Sequence, residues 1–547
     1  PEGHRIMRRW NGWGDESLDM RLPESAVRLL HQWLGQATPL PDAALEAVIA
    51  QVPPSRLADD AHPLLETDAE TRLRHARGQS LPDWLAMRSG SFGVFPDAVA
   101  RPESSAQVRG LIDFARERDV LLIPYGGGTS VAGHITPAAG DRPVITVAMT
   151  RMNRLMDLDR ESQIACFGAG ASGPEVEAQL RAHGFVLGHF PQSWELSTIG
   201  GWVASRSSGQ QSLRYGRIEQ LFAGGRMETP AGTLDIPTVP ASSAGTDLRE
   251  IVLGSEGRLG ILTEVKVRVS PLPECERFIT LFVPDWPRAL AAARALVQTR
   301  VPLSMLRVSN PAETFTGMRL AVSDDQIHWL ERLLRLRGIG QDYCMLTLGV
   351  TGSRDQVAGY QRQARGVLSR FGAVSVLGRR LGAKWAHGRF RFPYLRHALW
   401  EMGYAVDTFE TALDWARVPA YIEAVEQRIA AGLADAEDCR EPVHVFTHLS
   451  HLYAQGSSAY TTYLFRCADS YEKTLARWRV LKQIACETIV EFGGTISHQH
   501  GVGRDHAPYL AAEKGPLGMA TIKALVHHFD PDRRMNPGVL LPPDRPE

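Results

Sequence analysis

Three consecutive glycines, Gly126, Gly127 and Gly128, lie within the stretch PYGGGTSVAGH at residues 124–134. Glycine loses more conformational freedom on folding than any other residue, so a run of three needs a compensating use. After a buried strand, such a run lets backbone N–H groups approach and hold phosphate oxygens. The spacing fits neither a P-loop nor the GxGxxG turn of a Rossmann fold. A phosphate cradle and a tight structural turn are both compatible with this stretch alone.

A second polar stretch, GHFPQSWELSTIGGWVASRSSGQQSLRYG at residues 188–216, is dense in glycine and serine and lies between apolar elements. It offers many backbone and hydroxyl donors, as a phosphate-binding or nucleotide-binding surface requires. A solvated loop would not need the ordered STIGGWVAS pattern within it. The two stretches together favour a nucleotide site over a structural turn.

Two histidine clusters could carry metal or proton chemistry. His444, His448 and His451 in HVFTHLSH have a spacing that would align three ligands on a helix. The intervening Val, Phe and Leu favour a strand instead, which divides the histidines between two faces, and we expect no metal site. In HQHGVG, an extended segment would place His498 and His500 on one face, where imidazoles that titrate near neutral pH offer acid–base chemistry.

Composition limits the classes of function. The 547 residues exceed one hydrophobic core, so two or three domains are expected. The 60 Lys and Arg residues balance 61 Asp and Glu residues, so we expect no nucleic-acid partner. No apolar run approaches the roughly 20 residues of a membrane span. Six cysteines without CxxC spacing, Cys439 among them, are typical of reduced thiols in a cytoplasmic protein.

The elements that must position these residues predict an α+β fold. Residues 1–90 are predicted to form an N-terminal helical extension that packs on the next domain. Strand and helix patterns alternate over residues 91–274, which indicates a nucleotide-binding domain. Amphipathic helices and strands over residues 275–470 predict an α+β cap or substrate domain. Residues 471–547 are predicted to form a C-terminal segment that returns to the site.

The motifs GGGTSV, STIGGWVASRSSG and GSEGRLGIL resemble the FAD-binding, PCMH-type domain of the vanillyl-alcohol oxidase type. With RWNGWG, DTFETALDW and HQHGVG, they occur in the order of the alkyldihydroxyacetonephosphate synthase (alkylglycerone-phosphate synthase) family, over most of the chain. The resemblance implies that four loops bind FAD. Their residues are Pro124, Tyr125, Gly126, Gly127, Gly128, Thr129 and Ser130; Gln192, Ser193, Trp194, Glu195, Leu196, Ser197 and Thr198; Ser205, Arg206, Ser207 and Ser208; and Glu256, Gly257, Arg258, Leu259, Gly260, Ile261 and Leu262.

Noncovalent FAD is also expected, since His134 lies past the glycine loop and the resemblance implies no covalent bond. We therefore expect His134 to be a bystander.

The resemblance also assigns roles outside the loops. Tyr460 matches the catalytic tyrosine, which would remove a proton beside the substrate ketone and needs a pKa lowered from about 10. Arg307 matches an active-site arginine. Arg396 matches the arginine for the substrate phosphate, which a guanidinium fork can bind through two hydrogen bonds. His498 and His500 would assist proton transfer. Taken alone, a tyrosine in an alternating strand such as Tyr460 is more often a cross-strand aromatic. Composition alone favours a surface position for Arg307, and Arg396 is equally compatible with a surface charge on a helix.

The implied reaction exchanges the acyl chain of acyl-dihydroxyacetone phosphate for a fatty alcohol, a step of ether lipid synthesis, with no net redox change. FAD would accept electron density and hold the reacting carbon. The lipid phosphate substrate implies peripheral membrane contact, and we expect a homodimer.

Gln499 departs from the three consecutive histidines of the synthase family. The alternative is therefore a FAD-dependent D-2-hydroxy acid dehydrogenase or oxidase of the D-lactate or glycolate type. The stretch QHGVG also resembles the Glu-His-Gly stretch of those enzymes. A flavoprotein without turnover is the third interpretation, which Tyr460 and both arginines disfavour.

Overall fold

The computed structural model describes residues 7–60, 62–321, 324–434 and 441–542, so that Cys439 lies outside the described residues. Its strands and helices are interspersed along the described residues. The strands are β1 (Leu65–Glu66), β2 (Ala98–Ala100), β3 (Leu121–Tyr125), β4 (Val144–Ala148), β5 (Leu155–Asp159), β6 (Ile164–Gly168), β7 (Phe185–Val186), β8 (Phe222–Thr229), β9 (Gly232–Ile236), β10 (Ile261–Arg268), β11 (Ser270–Pro271), β12 (Cys275–Val283), β13 (Met305–Ser309), β14 (Cys344–Gly352), β15 (Tyr404–Asp414), β16 (His444–Leu449) and β17 (Gly456–Arg466).

The helices differ widely in length. They are α1 (Glu24–Leu34), α2 (Leu45–Ile49), α3 (Ala69–Arg74), α4 (Leu81–Ser89), α5 (Ser105–Glu117), α6 (Gly173–Arg181), α7 (Ile199–Ser205), α8 (Ser212–Tyr215), α9 (Ile218–Leu221), α10 (Leu248–Val252), α11 (Trp286–Gln298), α12 (Pro311–Ala321), α13 (Asp324–Arg335), α14 (Arg354–Leu368), α15 (Gly378–Gly388), α16 (Leu395–Glu401), α17 (Val418–Ala431), α18 (Tyr471–Glu491) and α19 (Leu510–Phe529). Among the described residues, no helix combines the length and apolarity that crossing a membrane requires.

A four-stranded sheet in the order β1-β2-β4-β3 presents the glycine loop. Strands β2, β4 and β3 are parallel, and β1 pairs antiparallel with β2. Helix α5 buries Val108, Leu111 and Ile112 in the same core as Leu122 and Ile145. This apolar spacing of three and four residues is what the sequence predicts for an amphipathic helix. The glycine loop therefore leaves a fixed strand, β3, at the edge of this sheet.

The second sheet is antiparallel, in the order β5-β6-β10-β8-β9. Helix α7 packs its Trp202 and Val203 into the core of this sheet, together with Phe167 and Val265. The side chain of Thr198 accepts a hydrogen bond from Gly201 N at the start of α7, so the polar stretch at 188–216 turns into a helix at this point.

The third sheet has six antiparallel strands in the order β12-β14-β13-β16-β17-β15. Its register places Tyr460 of β17 opposite both His448 of β16 and Glu410 of β15. The HVFTHLSH stretch is a strand through Leu449, as its apolar residues predict, and not a helix.

The N-terminal extension does not pack only on the adjacent domain. Strand β1 pairs with β2 there, but α1 buries Leu30 and Leu34 against Leu399, Tyr404 and Leu464 beside the six-stranded sheet. The sequence pattern shows that α1 has an apolar face, but the partner of that face lies hundreds of residues away and is set by tertiary packing.

Candidate active site

The glycine loop is shaped by close contact with the second polar loop. A Cβ atom on Gly127 would overlap the carbonyl oxygen of Leu196, and one on Gly126 would overlap the hydroxyl of Thr198. Gly128 has φ of +67°, a left-handed conformation that favours glycine. Two of the three glycines thus allow the loops to pack together, and the third allows the turn.

The loops enclose one side of a cavity of about 500 Å³. The loop residues that line it are Pro124, Tyr125, Gly126, Gly127, Gly128, Thr129, Ser130, Gln192, Ser193, Ser197, Thr198, Ser205, Ser207, Ser208, Glu256, Gly257, Gly260, Ile261 and Leu262. Bare backbone and eight Ser or Thr hydroxyls converge here, and added Cβ atoms would fill part of the space between the loops. This donor set fits the pyrophosphate and ribose of a dinucleotide.

Six of the loop residues predicted to bind the cofactor are described by the structure but do not line this cavity: Trp194, Glu195, Leu196, Arg206, Arg258 and Leu259. Each has another partner. Trp194 stacks on Phe390, Glu195 accepts a hydrogen bond from the Tyr394 hydroxyl, and Leu259 is buried in the core. Arg206 donates to Glu250, Arg258 donates to the Met535 carbonyl, and Leu196 packs against the core of the six-stranded sheet.

His134 joins two of the loops through its two ring nitrogens. Its Nε2 lies 3.0 Å from Glu256 Oε2, and its Nδ1 lies 2.6 Å from the Ser130 hydroxyl. The Glu256 carboxylate also accepts hydrogen bonds from the backbone N–H groups of Val502 and Gly503. His134 and Glu256 therefore connect the glycine loop, the 256–262 loop and the segment after His500.

Tyr460 lines the cavity and donates its hydroxyl hydrogen to Thr408 Oγ1 at 3.0 Å. Burial raises the pKa of Tyr460, and nearby Glu410 and Asp407 raise it further, whereas Thr408 and Arg307 lower it. The base role inferred from the sequence needs a lowered pKa, whereas the surroundings of Tyr460 in the structure raise its pKa. The sequence could not predict this, because the carboxylates reach Tyr460 only through the sheet register.

Arg307 lies beside Tyr460 in a compact group of charges. Its Nη2 donates to Glu313 Oε1 at 2.5 Å, and His448 Nδ1 lies 3.0 Å from the same oxygen. The His448 ring stacks on the Tyr460 ring, with the centroids 4.8 Å apart. Arg307, Glu313 and His448 all line the cavity. The structure thus brings together the two predicted residues, Arg307 and Tyr460, and adds two others.

Arg396 enters the cavity from α16. Its Nη1 donates to the Gln79 carbonyl at 2.6 Å, and its guanidinium lies over the Trp84 ring. Its Nε and Nη2 are buried and have no hydrogen-bond partner among the described residues. Burial lowers the pKa of Arg396 to about 10, which leaves the group charged at neutral pH. Two unpartnered donors on a fixed cation suit an anionic ligand.

His498, Gln499 and His500 are not extended. Of these three described residues, Gln499 and His500 line the cavity and His498 does not. His498 Nε2 accepts from Arg217 Nη1 at 2.9 Å and lies 2.7 Å from the Tyr453 hydroxyl, while its Nδ1 lies 3.4 Å from Glu410 Oε1. The expected shared face of His498 and His500 is therefore wrong, because Arg217 holds His498 behind the cavity wall.

Glu410, His451 and His498 bring carboxylate and imidazole atoms within 4.8 Å of one another. A metal ion could use such a set. However, the Arg217 guanidinium already donates to His498, and a fixed positive charge at that distance opposes a second cation. The arrangement fits a hydrogen-bonded network better than a metal centre.

From this polar centre the cavity continues into an apolar arm. The arm is lined by Leu22, Ala26, Leu29, Leu30, Trp33, Leu320, Leu399, Val406, Phe446 and Leu464. Helix α16 supplies both Arg396 and, one turn later, Leu399. The cavity thus combines a cation with unpartnered donors and a long hydrocarbon-lined wall.

Sequence reasoning missed Glu313, His448, Thr408 and the arm-lining face of α1. His448 was considered only as a metal ligand. Thr408 lies in DTFETALDW, so that motif marks the site. Glu313 and α1 carry no local chemical pattern, and only the fold brings them to the cavity.

Family models and known proteins identify this arrangement. Residues 96–235 match the model described as FAD binding domain, and residues 272–540 match the C-terminal domain of FAD linked oxidases. A solved 4-ethylphenol oxidase from Gulosibacter chungangensis shares the fold, with a TM-score of 0.64 at 14% identity over 93% of this chain and 99% of that one. The chain is an FAD-linked enzyme with the vanillyl-alcohol oxidase type of fold, and FAD is its cofactor.

A narrower family follows from two further similarities. Alkyldihydroxyacetonephosphate synthase of Dictyostelium discoideum is 30% identical, over 98% of this chain and 93% of that protein. A solved alkyldihydroxyacetonephosphate synthase superposes with a TM-score of 0.82 at 28% identity, over 98% of this chain and 99% of the other. The chain belongs to the alkyldihydroxyacetonephosphate synthase family.

Proposed function

We propose that this enzyme exchanges the acyl chain of acyl-dihydroxyacetone phosphate for a fatty alcohol. The observation that carries the proposal is one cavity that joins Tyr460, the unpartnered donors of Arg396 and the apolar arm. A phosphate and a long hydrocarbon chain on one substrate need both kinds of surface. A small 2-hydroxy acid, the alternative substrate, would leave the arm without a ligand.

Each residue has a proposed role. Arg396 binds the substrate phosphate, and Arg307 stabilises negative charge beside Tyr460. Tyr460 removes the α-hydrogen of the carbon beside the ketone as a proton and later returns it. When bound, FAD would supply an electron-accepting ring for this chemistry. The products are the alkyl ether and the fatty acid, so no electrons are gained or lost overall.

The four loops are proposed to hold FAD without a covalent bond. In support, both ring nitrogens of His134 already face partners, Ser130 and Glu256, so neither is free for attachment. Acid precipitation of the purified protein should release the yellow colour into the supernatant. Colour that stays in the pellet would contradict noncovalent binding.

A direct assay compares the two candidate reactions. We expect holoenzyme with palmitoyl-dihydroxyacetone phosphate and hexadecanol to form the hexadecyl ether and palmitate, measured by mass spectrometry, without lasting loss of flavin absorbance. We expect D-lactate or glycolate to leave the flavin oxidised under anaerobic conditions. Flavin bleaching by a hydroxy acid, without ether formation, would overturn the proposal in favour of the dehydrogenase.

Peripheral membrane contact is proposed through α12 and α13. Phe315 of α12, Trp329 of α13 and Leu336 directly after α13 are exposed, and Phe315 lies against Trp33 of the arm. Arg332 and Arg335 lie on α13, as in helices that bind anionic lipid surfaces. Trp329→Ser should weaken sedimentation with phosphatidylserine vesicles, and unchanged binding would exclude this contact.

The four-part division of the chain is also a proposal, supported by the six-stranded sheet, whose strands all lie within residues 275–466. The cytoplasmic location and the homodimer stay predictions from the sequence. Light scattering of the purified protein measures the second of these directly.

A further inference from the structure

His448 has the hydrogen bonding of an oriented proton acceptor. Its Nδ1 lies 3.0 Å from Glu313 Oε1 and 3.2 Å from Arg307 Nη2. Because Arg307 Nη2 already donates to the same Glu313 oxygen at 2.5 Å, the closer carboxylate favours the tautomer with hydrogen on Nδ1. The lone pair is then on Nε2, which has no hydrogen-bond partner among the described residues. Because His448 lines the cavity and stacks on Tyr460, that lone pair lies beside the reacting groups.

Glu313 is built to stay ionised. Burial alone would raise the pKa of Glu313, but the charges of His448 and Arg307 and their hydrogen bonds lower it to about 2. Asn310 fixes the position of this residue, since its side-chain oxygen accepts from the Glu313 backbone N–H at 2.9 Å. The carboxylate is therefore ionised at neutral pH and can accept from His448 Nδ1.

The other histidines of the site are less suited to this role. His498 uses Nε2 to accept from Arg217 and turns Nδ1 towards Glu410, so both nitrogens are engaged behind the cavity wall. His500 meets Tyr460 edge to face, with ring centroids 5.7 Å apart, but has no carboxylate hydrogen bond among the described residues. His448 alone of the three combines a free cavity-facing nitrogen with an orienting carboxylate.

We propose that His448 is a catalytic residue that accepts the hydroxyl proton of the incoming fatty alcohol, with Glu313 as its positioning residue. This inference rests on the proposed function. The bond from carbon to the acyl oxygen breaks, and the fatty acid leaves as a carboxylate. The alcohol oxygen bonds to the same carbon, and its proton passes to His448 Nε2 and then to solvent. Tyr460 removes and returns the α-hydrogen, so two different residues carry out the two proton transfers.

The proposal predicts that His448→Asn separates two halves of the reaction. In D₂O, the α-hydrogen of the acyl substrate should still exchange with solvent at close to the wild-type rate. Formation of the hexadecyl ether should fall by about 10²-fold, a usual effect of removing a general base. Bound flavin, measured by absorbance, shows whether the variant has folded. His183→Asn, the same change at an exposed histidine outside the cavity, should leave both rates unchanged.

Glu313→Gln tests the positioning role by a pH profile. Ether formation should need neutral His448. Burial and the charge of Arg307 lower the pKa of His448, whereas Glu313 and Glu410 raise it. Tyr460 and His451 also lie near this imidazole. Removing the Glu313 charge should move the acidic limb of the profile to lower pH and reduce the maximal rate.

Added imidazole should restore part of the ether formation of His448→Ala.

Several outcomes would overturn the proposal. Equal loss of hydrogen exchange and ether formation in His448→Asn would make His448 a structural support for Tyr460. Full ether formation by that variant, or an unmoved acidic limb in Glu313→Gln, would exclude the proton transfer. If wild-type enzyme neither exchanges the α-hydrogen nor forms the ether, the proposed function itself fails, which is a distinguishable result.

Discussion

Tyr460 of β17 donates its hydroxyl hydrogen to Thr408 Oγ1 at 3.0 Å and lies directly opposite Glu410, which is on the same strand as Thr408. Burial and the two nearby carboxylates raise the pKa of this phenol, so the phenolate is a minor form at neutral pH. Proton removal by Tyr460 then depends on how much phenolate the site can support. This relationship makes the pH dependence of the first step informative.

The rate of α-hydrogen exchange should rise with pH throughout the neutral range and beyond pH 9, without a plateau. The phenolate fraction increases about tenfold per pH unit below the pKa, and that pKa is raised above about 10. Exchange into D₂O, followed by mass spectrometry, measures this dependence. A plateau near pH 7 would show that Tyr460 is not the group that titrates.

Thr408→Val should slow the same exchange further. The Thr408 hydroxyl lowers the pKa of Tyr460, and valine removes it while keeping the shape of the side chain. Thr462→Val is a matched control, because Thr462 faces Thr408 across the strand pair but does not bond the Tyr460 hydroxyl. Faster exchange in Thr408→Val would contradict the role of this hydrogen bond.

Arg396→Ala should raise the apparent KM for the phosphate-bearing substrate by at least about tenfold and change the affinity for hexadecanol little. A charge-assisted hydrogen bond contributes about 1.5–3 kcal/mol, and Arg396 has two unpartnered donors. Initial rates at varied substrate give both constants. An unchanged KM for the phosphate substrate would reject the assignment.

Leu29→Trp should narrow the apolar arm and select against long chains. Activity with hexadecanol should fall more than activity with octanol, because the extra ring occupies volume that only the longer chain needs. Arg28→Trp, at the exposed neighbouring position of α1, is the matched control. Equal losses with both alcohols would place the chain elsewhere.

FAD retention should depend on the His134–Glu256 pair and weaken at alkaline pH. Burial alone would lower the pKa of His134, but Glu256, Asp505 and Asp83 raise it above its ordinary value. Stability from the pair is therefore complete below about pH 6.5 and is lost as pH rises through the raised pKa. Flavin release during thermal unfolding, measured by fluorescence, reports the effect.

Glu256→Gln should lower the temperature of flavin release and flatten that alkaline dependence. The buried amide would leave a backbone N–H of Val502 or Gly503 unpaired, at a cost of about 1–3 kcal/mol. A variant with the wild-type alkaline profile would show that another group titrates.

Sequence patterns predicted the elements that are set locally. The apolar spacing of α5, the strand before the glycine loop and the strand character of HVFTHLSH all follow from side-chain periodicity and are confirmed. The arm depends instead on α1 packing beside β17, and the charge group depends on Glu313 of α12 reaching β16. Those contacts join distant parts of the chain, which no local pattern encodes.

The histidines show the same limit within one motif. An extended HQH segment would have placed His498 in the cavity, but Arg217 and Tyr453 bind it from another part of the chain. His134 likewise gains its role from Glu256, to which it is joined only by the packing of two loops.

The exchange reaction of Tyr460→Phe at full FAD occupancy tests the central claim most directly. Phenylalanine keeps the ring that stacks on His448 and removes only the hydroxyl, so the bound flavin should be unchanged. Formation of the hexadecyl ether from palmitoyl-dihydroxyacetone phosphate should be abolished, while wild-type enzyme forms it without lasting flavin reduction. Wild-type rates of ether formation in Tyr460→Phe, or no ether from the wild-type holoenzyme, would contradict the account.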